Sequence, residues 1–329
     1  MSGAGKDSKA ERQALKAARR AEKLNRPPAG DQSAERERLA VAYEREDGSG
    51  VNEESRRLLA ADPPMLDDIQ RDLVAHLVAD GIAQVPFTQL FSEQLWQTLT
   101  ESATAFTNEV ESRLAGETAS VKKGGEAKAG FLQRRYERGA EIDPGDPWLQ
   151  AALSSRLLGV VNSYLGLWAK LTYFDQWYTI PMPDGAERTS SQNWHRDHND
   201  RHLVKVFVYL ADVDEGAGPF EYVTGSTRDG PYADLWPWAP HSDHYPPKAE
   251  FEERIPPSAA RTLTGPAGTM ILCNTSGFHR GGFATERPRI LWRYNYSSPA
   301  ALVLTKRRFT VDESRLPADL SPAARFALA

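Results

Sequence analysis

The chain has 329 residues, 40% of them hydrophobic, with 40 Lys and Arg against 45 Asp and Glu and a net charge of −5. That length supports a sizeable core in one large domain or in two, and the slightly acidic balance gives no whole-chain reason to expect a nucleic-acid partner. The single Cys273 excludes an internal disulfide, and the lack of a long apolar run or a signal-peptide core points to a cytoplasmic protein with no membrane partner.

Residues 1–62 differ from the rest. Lys6, Lys9, Arg12, Lys16, Arg19, Arg20, Lys23 and Arg26 alternate with alanines, and residues 31–62 turn acidic and mixed around Asp47-Gly48-Ser49-Gly50. Such a segment has little to bury, and reads as a charged, flexible tail and linker or as a contact for an anionic partner. The folded domain is expected over 63–329. Within it, Ile69, Leu73 and Leu77 predict a helix over 66–80, closed by Gly81 and followed by a short strand over 82–85. Leu95, Leu99, Phe106 and Val110 predict a second helix over 92–114, and Leu149, Leu153, Leu157, Val160 and Val161 a third over 147–166. Between these, residues 116–130 carry Lys122, Lys123 and Lys128, and read either as a surface loop or as a lid that attracts an anion.

From Lys170 the period changes to two. Thr172, Phe174, Gln176, Tyr178 and Ile180 share one face of a strand, and Leu171, Tyr173, Asp175, Trp177 and Thr179 the other. Then comes Asn193-Trp194-His195-Arg196-Asp197-His198-Asn199-Asp200. On an extended chain His195 and Asp197 point the same way and can offer a ring nitrogen and a carboxylate oxygen to one ion. His198 and His202 read as neighbours of that site or as surface residues. The strand over 203–210 puts Val204, Val206, Val208 and Leu210 on a core side and Leu203, Lys205, Phe207 and Tyr209 on the other, where Lys205 either looks into a cavity or reaches solvent. Residues 230–247 hold Tyr232, Trp236, Trp238, His241, His244 and Tyr245 among prolines, a packed cover or a substrate-facing lid. His279 is the best third ligand, and two His with one carboxylate suit non-haem Fe(II) with open positions. The last strand alternates Arg289, Leu291, Arg293 and Asn295 against Ile290, Trp292, Tyr294 and Tyr296, and beyond Pro299 the chain reads as helix and coil. Short alternating strands behind a helical amino-terminal part predict an all-β core with flanking helices, a double-stranded β-helix or cupin-like jelly roll.

His-x-Asp alone is weak evidence, but the order of features after it is not. Trp-His-x-Asp at 194–197, Gly-Pro-Phe-Glu-Tyr-Val-x-Gly-Ser at 218–226, and His-x-Gly followed by Arg-Pro-Arg at 279–289 resemble the phytanoyl-CoA hydroxylase family of Fe(II)- and 2-oxoglutarate-dependent oxygenases, to which ectoine hydroxylase also belongs. The resemblance runs over about 66–296. It implies iron ligands His195, Asp197 and His279, and makes Arg289 the guanidinium that grips the far carboxylate of 2-oxoglutarate. It also gives Gln176 a cosubstrate-binding role, against a plainer reading in which the neighbouring backbone satisfies it. Two departures stand out: Gly281 replaces a small hydroxyl residue common in relatives, and the His279-to-Arg289 spacing of ten is one short, which leaves Arg287 as the alternative.

The cofactors implied are Fe(II), 2-oxoglutarate and dioxygen. The presence of Asp197 favours hydroxylation, with desaturation, ring formation or epimerisation as other outcomes, of a small, polar metabolite or natural-product intermediate in secondary metabolism. Arg293, His198 and Lys205 are the candidate substrate contacts. A non-catalytic metal-binding jelly roll and a scaffold acting through its basic tail are the competing readings.

Overall fold

The computed structural model describes residues 52–116, 131–136, 139–197, 200, 202–227, 230–236, 245–299, 301 and 309–329. The basic segment 6–26, the Lys122 loop, His198, and Trp238, His241 and His244 of the aromatic stretch lie outside the described residues. Among those described, no helix is long and apolar enough to cross a membrane.

The body takes in residues assigned above to the linker. Helix α1 (Glu53–Ala61) buries Asn52 and Ser55, and the Ser55 hydroxyl donates to the Trp168 carbonyl. Helix α2 (Asp68–Asp80) starts on a capping box, in which the Asp67 carboxylate accepts from the Gln70 amide and the Gln70 side chain accepts from the Asp67 amide. It buries Leu73 and Leu77 and leads through Gly81 to strand β1 (Ile82–Pro86). A one-turn helix α3 (Phe87–Leu90) precedes the long α4 (Glu93–Gly116). The helix expected over 147–166 is two, α5 (Pro147–Leu153) and α6 (Ser155–Leu165). Ser154 has the extended ψ of 144° and caps α6 through its hydroxyl, so the local bond that Ser offers the backbone wins over continuation.

The strands are β2 (Leu132–Arg134), β3 (Ala140–Ile142), β4 (Lys170–Thr179), β5 (Leu203–Tyr209), β6 (Phe220–Val223), β7 (Ala260–Leu263), β8 (Thr269–Cys273), β9 (His279–Arg280), β10 (Arg289–Ser297) and β11 (Phe309–Val311). Six form an antiparallel sheet in the order β1-β8-β5-β10-β4-β2, and three a smaller antiparallel sheet in the order β7-β6-β9. A parallel pair of β3 and β11 was not expected in a tail read as helix and coil. Helix α8 (Pro322–Leu328) follows it, after α7 (Lys248–Arg254) in the cover region.

One face of the large sheet, with Phe174, Val204, Val206, Val208, Met270, Leu272, Trp292, Tyr294 and Tyr296, packs on the helices. There Trp148 of α5 stacks on Trp292, ring centroids 4.1 Å apart and nearly parallel. The other face, with Phe207, Tyr209, Ile271, Cys273 and Leu291, meets Phe220, Tyr222 and Leu263 of the small sheet. The space between the two sheets is where a site can be built. One face assignment needs correcting: the β4–β10 register slips between Asn295 and Tyr296, so Tyr173 lies opposite Asn295 while Leu171 lies opposite Tyr296. Thr172 is the extra residue, bonded to Asn295, and Leu171 turns to the helix side.

Candidate metal centre

His195 and His279 form an isolated antiparallel bridge that adds His195 to the free edge of β9. Each donates its backbone N–H to the other's carbonyl, at 3.0 and 2.9 Å, and the rings lie 4.2 Å apart. Two residues on, the Asp197 amide donates to the Thr275 carbonyl at 2.8 Å, which keeps the strand extended and brings the Asp197 side chain back to the face of His195. The three side chains offer ligand atoms that all lie within 4.8 Å of one another. Both rings contact a carbonyl two residues back through Nδ1, His195 with Asn193 and His279 with Gly277, each at 2.9 Å. A carbonyl only accepts, so Nδ1 carries the proton and Nε2 keeps its lone pair for a ligand.

Burial, with the neighbouring His195, holds the His279 imidazolium well below the usual histidine range, so the ring is neutral at ordinary pH. Burial works against the Asp197 carboxylate, but the Lys205 ammonium beside it outweighs that cost and keeps the group ionised. Lys205, on the inner face of β5, donates to Asp197 Oδ2, with its side chain only 12% exposed. The same oxygen lies 3.7 Å from His279 Nε2. Tyr245, from the aromatic stretch, stacks on the His195 ring at 5.4 Å.

Arg289 stands on the inner face at the start of β10 and is 5% exposed. Its Nη1 donates to the Gly218 carbonyl at 2.8 Å, while its Nε has no partner. No acidic side chain among the described residues pairs with it, and burial lowers its pKa. The glycine-rich turn that offers this carbonyl lies close against the Phe283–Ala284 backbone: Gly218 has φ +69°, and a Cβ there would come within 2.4 Å of the Ala284 amide. A Cβ on Gly281 would stand 3.7 Å from Arg289 Nη2, so that departure from the family pattern falls beside the guanidinium. Arg287 points elsewhere, pairing with Asp214 at the half-exposed rim.

The other expected site residues divide. Arg293 shares the inner face, opposite Asp175 on β4, and its guanidinium carbon lies 3.4 Å from the centre of the Trp177 ring and 4.4 Å from that of Tyr173. Gln176 faces the other way. It is fully buried on the helix side, where Nε2 donates at 3.0 Å to the Ala103 carbonyl and the Thr107 hydroxyl of α4. A cosubstrate role for Gln176 is therefore corrected: the sheet stands between it and Arg289. His202 is half-buried, and its backbone amide donates to Asp200.

Arg196 escaped the sequence reading, because alternation sends it away from the metal face. There it is 4% exposed and donates to five carbonyls, those of Ser226, Ser276, Tyr232, Ala233 and Leu235, above the Phe278 ring at 3.7 Å. Burial brings its pKa down to about 10, still charged at neutral pH. It ties the His195 strand, the approach to His279 and the start of the aromatic cover into one body.

No protein-family model matches the chain, and no curated protein is similar to it in sequence. Solved structures similar to it include the epimerase SnoN in complex with Fe3+, alpha ketoglutarate and nogalamycin RO, at 19% identity over 70% of this chain and 84% of that one, TM-score 0.43. EctD from S. alaskensis with 2-oxoglutarate and 5-hydroxyectoine is 18% identical over 73% and 79%, TM-score 0.48. HygX from Streptomyces hygroscopicus with nickel and 2-oxoglutarate bound is 18% identical over 71% and 88%, TM-score 0.41.

Proposed function

We propose that the chain is an Fe(II)- and 2-oxoglutarate-dependent oxygenase with a jelly-roll core in one catalytic domain. The observation that carries this reading is the pair of histidines whose Nδ1–H groups are tied to carbonyls, with His279 Nε2 3.7 Å from the Asp197 carboxylate and ligand atoms of all three side chains within 4.8 Å of one another. That donor set fits Fe(II) and contributes three protein ligands, which leaves positions for a chelating cosubstrate. A structural ion asks for a closed set of ligands, and among the described residues this cluster has three members.

Arg289 supports the cosubstrate half of the reading. A buried guanidinium with an unpaired Nε and no acidic partner among the described residues is costly alone, and its fork matches a carboxylate. Arg289 would hold the distal carboxylate of 2-oxoglutarate, and His195, Asp197 and His279 would hold the iron. When bound, iron, 2-oxoglutarate and dioxygen together supply an oxidant able to attack an unactivated carbon. The chain's own work is positional. Arg289 orients the cosubstrate, Arg196 holds the cover to both ligand strands, and the rings of Phe220 and Tyr245, packed on His279 and His195, limit access of water. Hydroxylation of a small polar metabolite is the favoured outcome because the carboxylate ligand is present. Desaturation, cyclisation and epimerisation use the same parts.

The test is an anaerobic titration with Fe(II) and 2-oxoglutarate, read by the visible charge-transfer band of the chelate. The wild type should develop the band, His279→Ala should lose it, and Arg289→Ala should need far more 2-oxoglutarate. A wild type that binds metal and develops no band would sink the open-site argument.

A further inference from the structure

Among the described residues, three cations stand on the inner face of the large sheet with little exposure: Lys205, Arg289 and Arg293. Each needs a counter-charge, because a buried unpaired cation is expensive. Arg293 has Asp175 opposite it. Arg289 is matched by the distal carboxylate of 2-oxoglutarate if the proposed function holds, and this inference rests on that reading. Lys205 is the exception, because its counter-ion is Asp197, which the metal also claims.

The contest is over one carboxylate. Lys205 Nζ donates to Asp197 Oδ2, the oxygen that also faces His279 Nε2 at 3.7 Å. A divalent ion held by the two rings would attract the carboxylate about twice as strongly as an ammonium at equal distance, so metal binding would weaken the hold of Asp197 on Lys205. The charges of the loaded centre then sum to zero: two positive on the metal, one negative on Asp197, and one negative on the proximal carboxylate of the cosubstrate. The ammonium is left over. It stays on the inner face, which it shares with Tyr173 and Arg293.

We propose that Lys205 is the counter-ion of the metal-free site and that metal loading releases it to receive an anionic group, a carboxylate, sulfate or phosphate, of the substrate. The substrate class is thereby narrowed to small metabolites bearing one negative group within reach of the oxidised carbon. Loading order follows from the same charges: the anion gains its full partner only after the metal has bound.

The test uses the full-length chain with Co(II), whose visible bands report coordination without turnover, in the wild type, Lys205→Met and Lys205→Arg. Lys205→Met should bind Co(II) at least about tenfold more tightly than the wild type, because the competing charge is gone, and Lys205→Arg should stay within about threefold of it. Calorimetric titration of the Co(II)- and 2-oxoglutarate-loaded protein with sodium sulfate should give saturable binding in the wild type and Lys205→Arg, and none in Lys205→Met. Equal or weaker Co(II) binding by Lys205→Met overturns the competition. Sulfate binding that persists in Lys205→Met, or is absent from the loaded wild type, overturns the anion site. Failure of the parent reading looks different: His279→Ala would then bind Co(II) like the wild type, and this inference would fall with it.

Discussion

His195 and His279 are joined through their backbones before any ion joins their side chains. The reciprocal N–H to carbonyl bonds, at 3.0 and 2.9 Å, fix the two ligand strands to each other, and the Nδ1 contacts to Asn193 and Gly277 fix the rings. The bridge uses no side-chain atom of either residue. His279→Ala should therefore keep the fold while losing metal. We expect a circular dichroism spectrum like that of the wild type, thermal stability lower by about 1–2 kcal/mol from the lost packing, and metal affinity down by at least about a hundredfold. Calorimetric metal titration beside thermal melts checks both; a variant that unfolds on purification contradicts the backbone account.

The metal triplet was legible because part of it is local and the rest follows a familiar order of motifs. His195 and Asp197 sit two apart on an extended segment, and His279 precedes glycines and an Arg-Pro-Arg run, so alternation and order suffice. The faces of β5 and β10 were legible too, since Val204, Val206 and Val208 could only be core. What the sequence did not reveal depends on pairing. Strand β4 offers two faces, each with polar residues, and nothing local says which one looks at Arg289; the pairing of Arg293 with Asp175 decides it and turns Gln176 away. The slip at Thr172 is equally non-local, since a bulge is a property of two strands. The contact of Lys205 with Asp197 follows from the return of β5 beneath the ligand strand, and Ser154 shows a cap defeating a run of apolar spacing that continues on both sides of it.

Gln176 gives a direct check on that correction. Its Nε2 bonds end on α4, on the far side of the sheet from Arg289. Gln176→Leu, close in volume, should leave 2-oxoglutarate affinity within about twofold of the wild type, since no interaction with the cosubstrate is removed. Stability should fall by about 1–3 kcal/mol, because the Ala103 carbonyl loses a donor in a buried site. A large loss of cosubstrate affinity with unchanged stability would restore the cosubstrate role.

Arg289 makes a prediction of opposite sign for stability and binding. It is a buried cation with, among the described residues, one carbonyl partner and an unsatisfied Nε. Replacing such a charge by an apolar side chain of similar length removes a desolvation cost, and Arg289→Met should melt at or above the wild-type temperature in the absence of ligands. Its 2-oxoglutarate affinity should drop by about two orders of magnitude, the scale of a lost bidentate carboxylate contact. Differential scanning calorimetry with and without 2-oxoglutarate separates the two effects. A variant destabilised without ligand but still stabilised by 2-oxoglutarate as much as the wild type would show that Arg289 is structural.

Trp148 and Trp292 carry the attachment of the helices to the sheet. Both are fully buried, and their rings are stacked at 4.1 Å with 7° between planes. The Trp148 indole also donates to the Ser102 hydroxyl of α4 at 2.8 Å, so one side chain ties α5, α4 and β10 together. Trp148→Ala should cost about 3–5 kcal/mol, the range for emptying a large aromatic site, and Trp148→Phe appreciably less. Urea unfolding measures both. A cost below about 1 kcal/mol for Trp148→Ala would mean that the helices are held on the sheet by other contacts.

Cys273, at the end of β8, offers a built-in report on whether the sheet opens. The thiol is fully buried, and burial pushes its pKa well above the ordinary cysteine value, so at pH 8 it is protonated in the folded chain. The thiolate is the reactive form. Raising the pH within the folded range should therefore give little labelling, and reaction with a thiol reagent should proceed only through opening of the β5–β8 pair, where Lys205 lies opposite Cys273. We expect one reactive thiol per chain in denaturant and negligible reaction in native buffer over an hour. Addition of Co(II) should slow the residual reaction further, because the ion binds only the closed arrangement of Asp197 and the two histidines. Native labelling that tracks pH as a free cysteine does would place the thiol at the surface and refute the packing of β8.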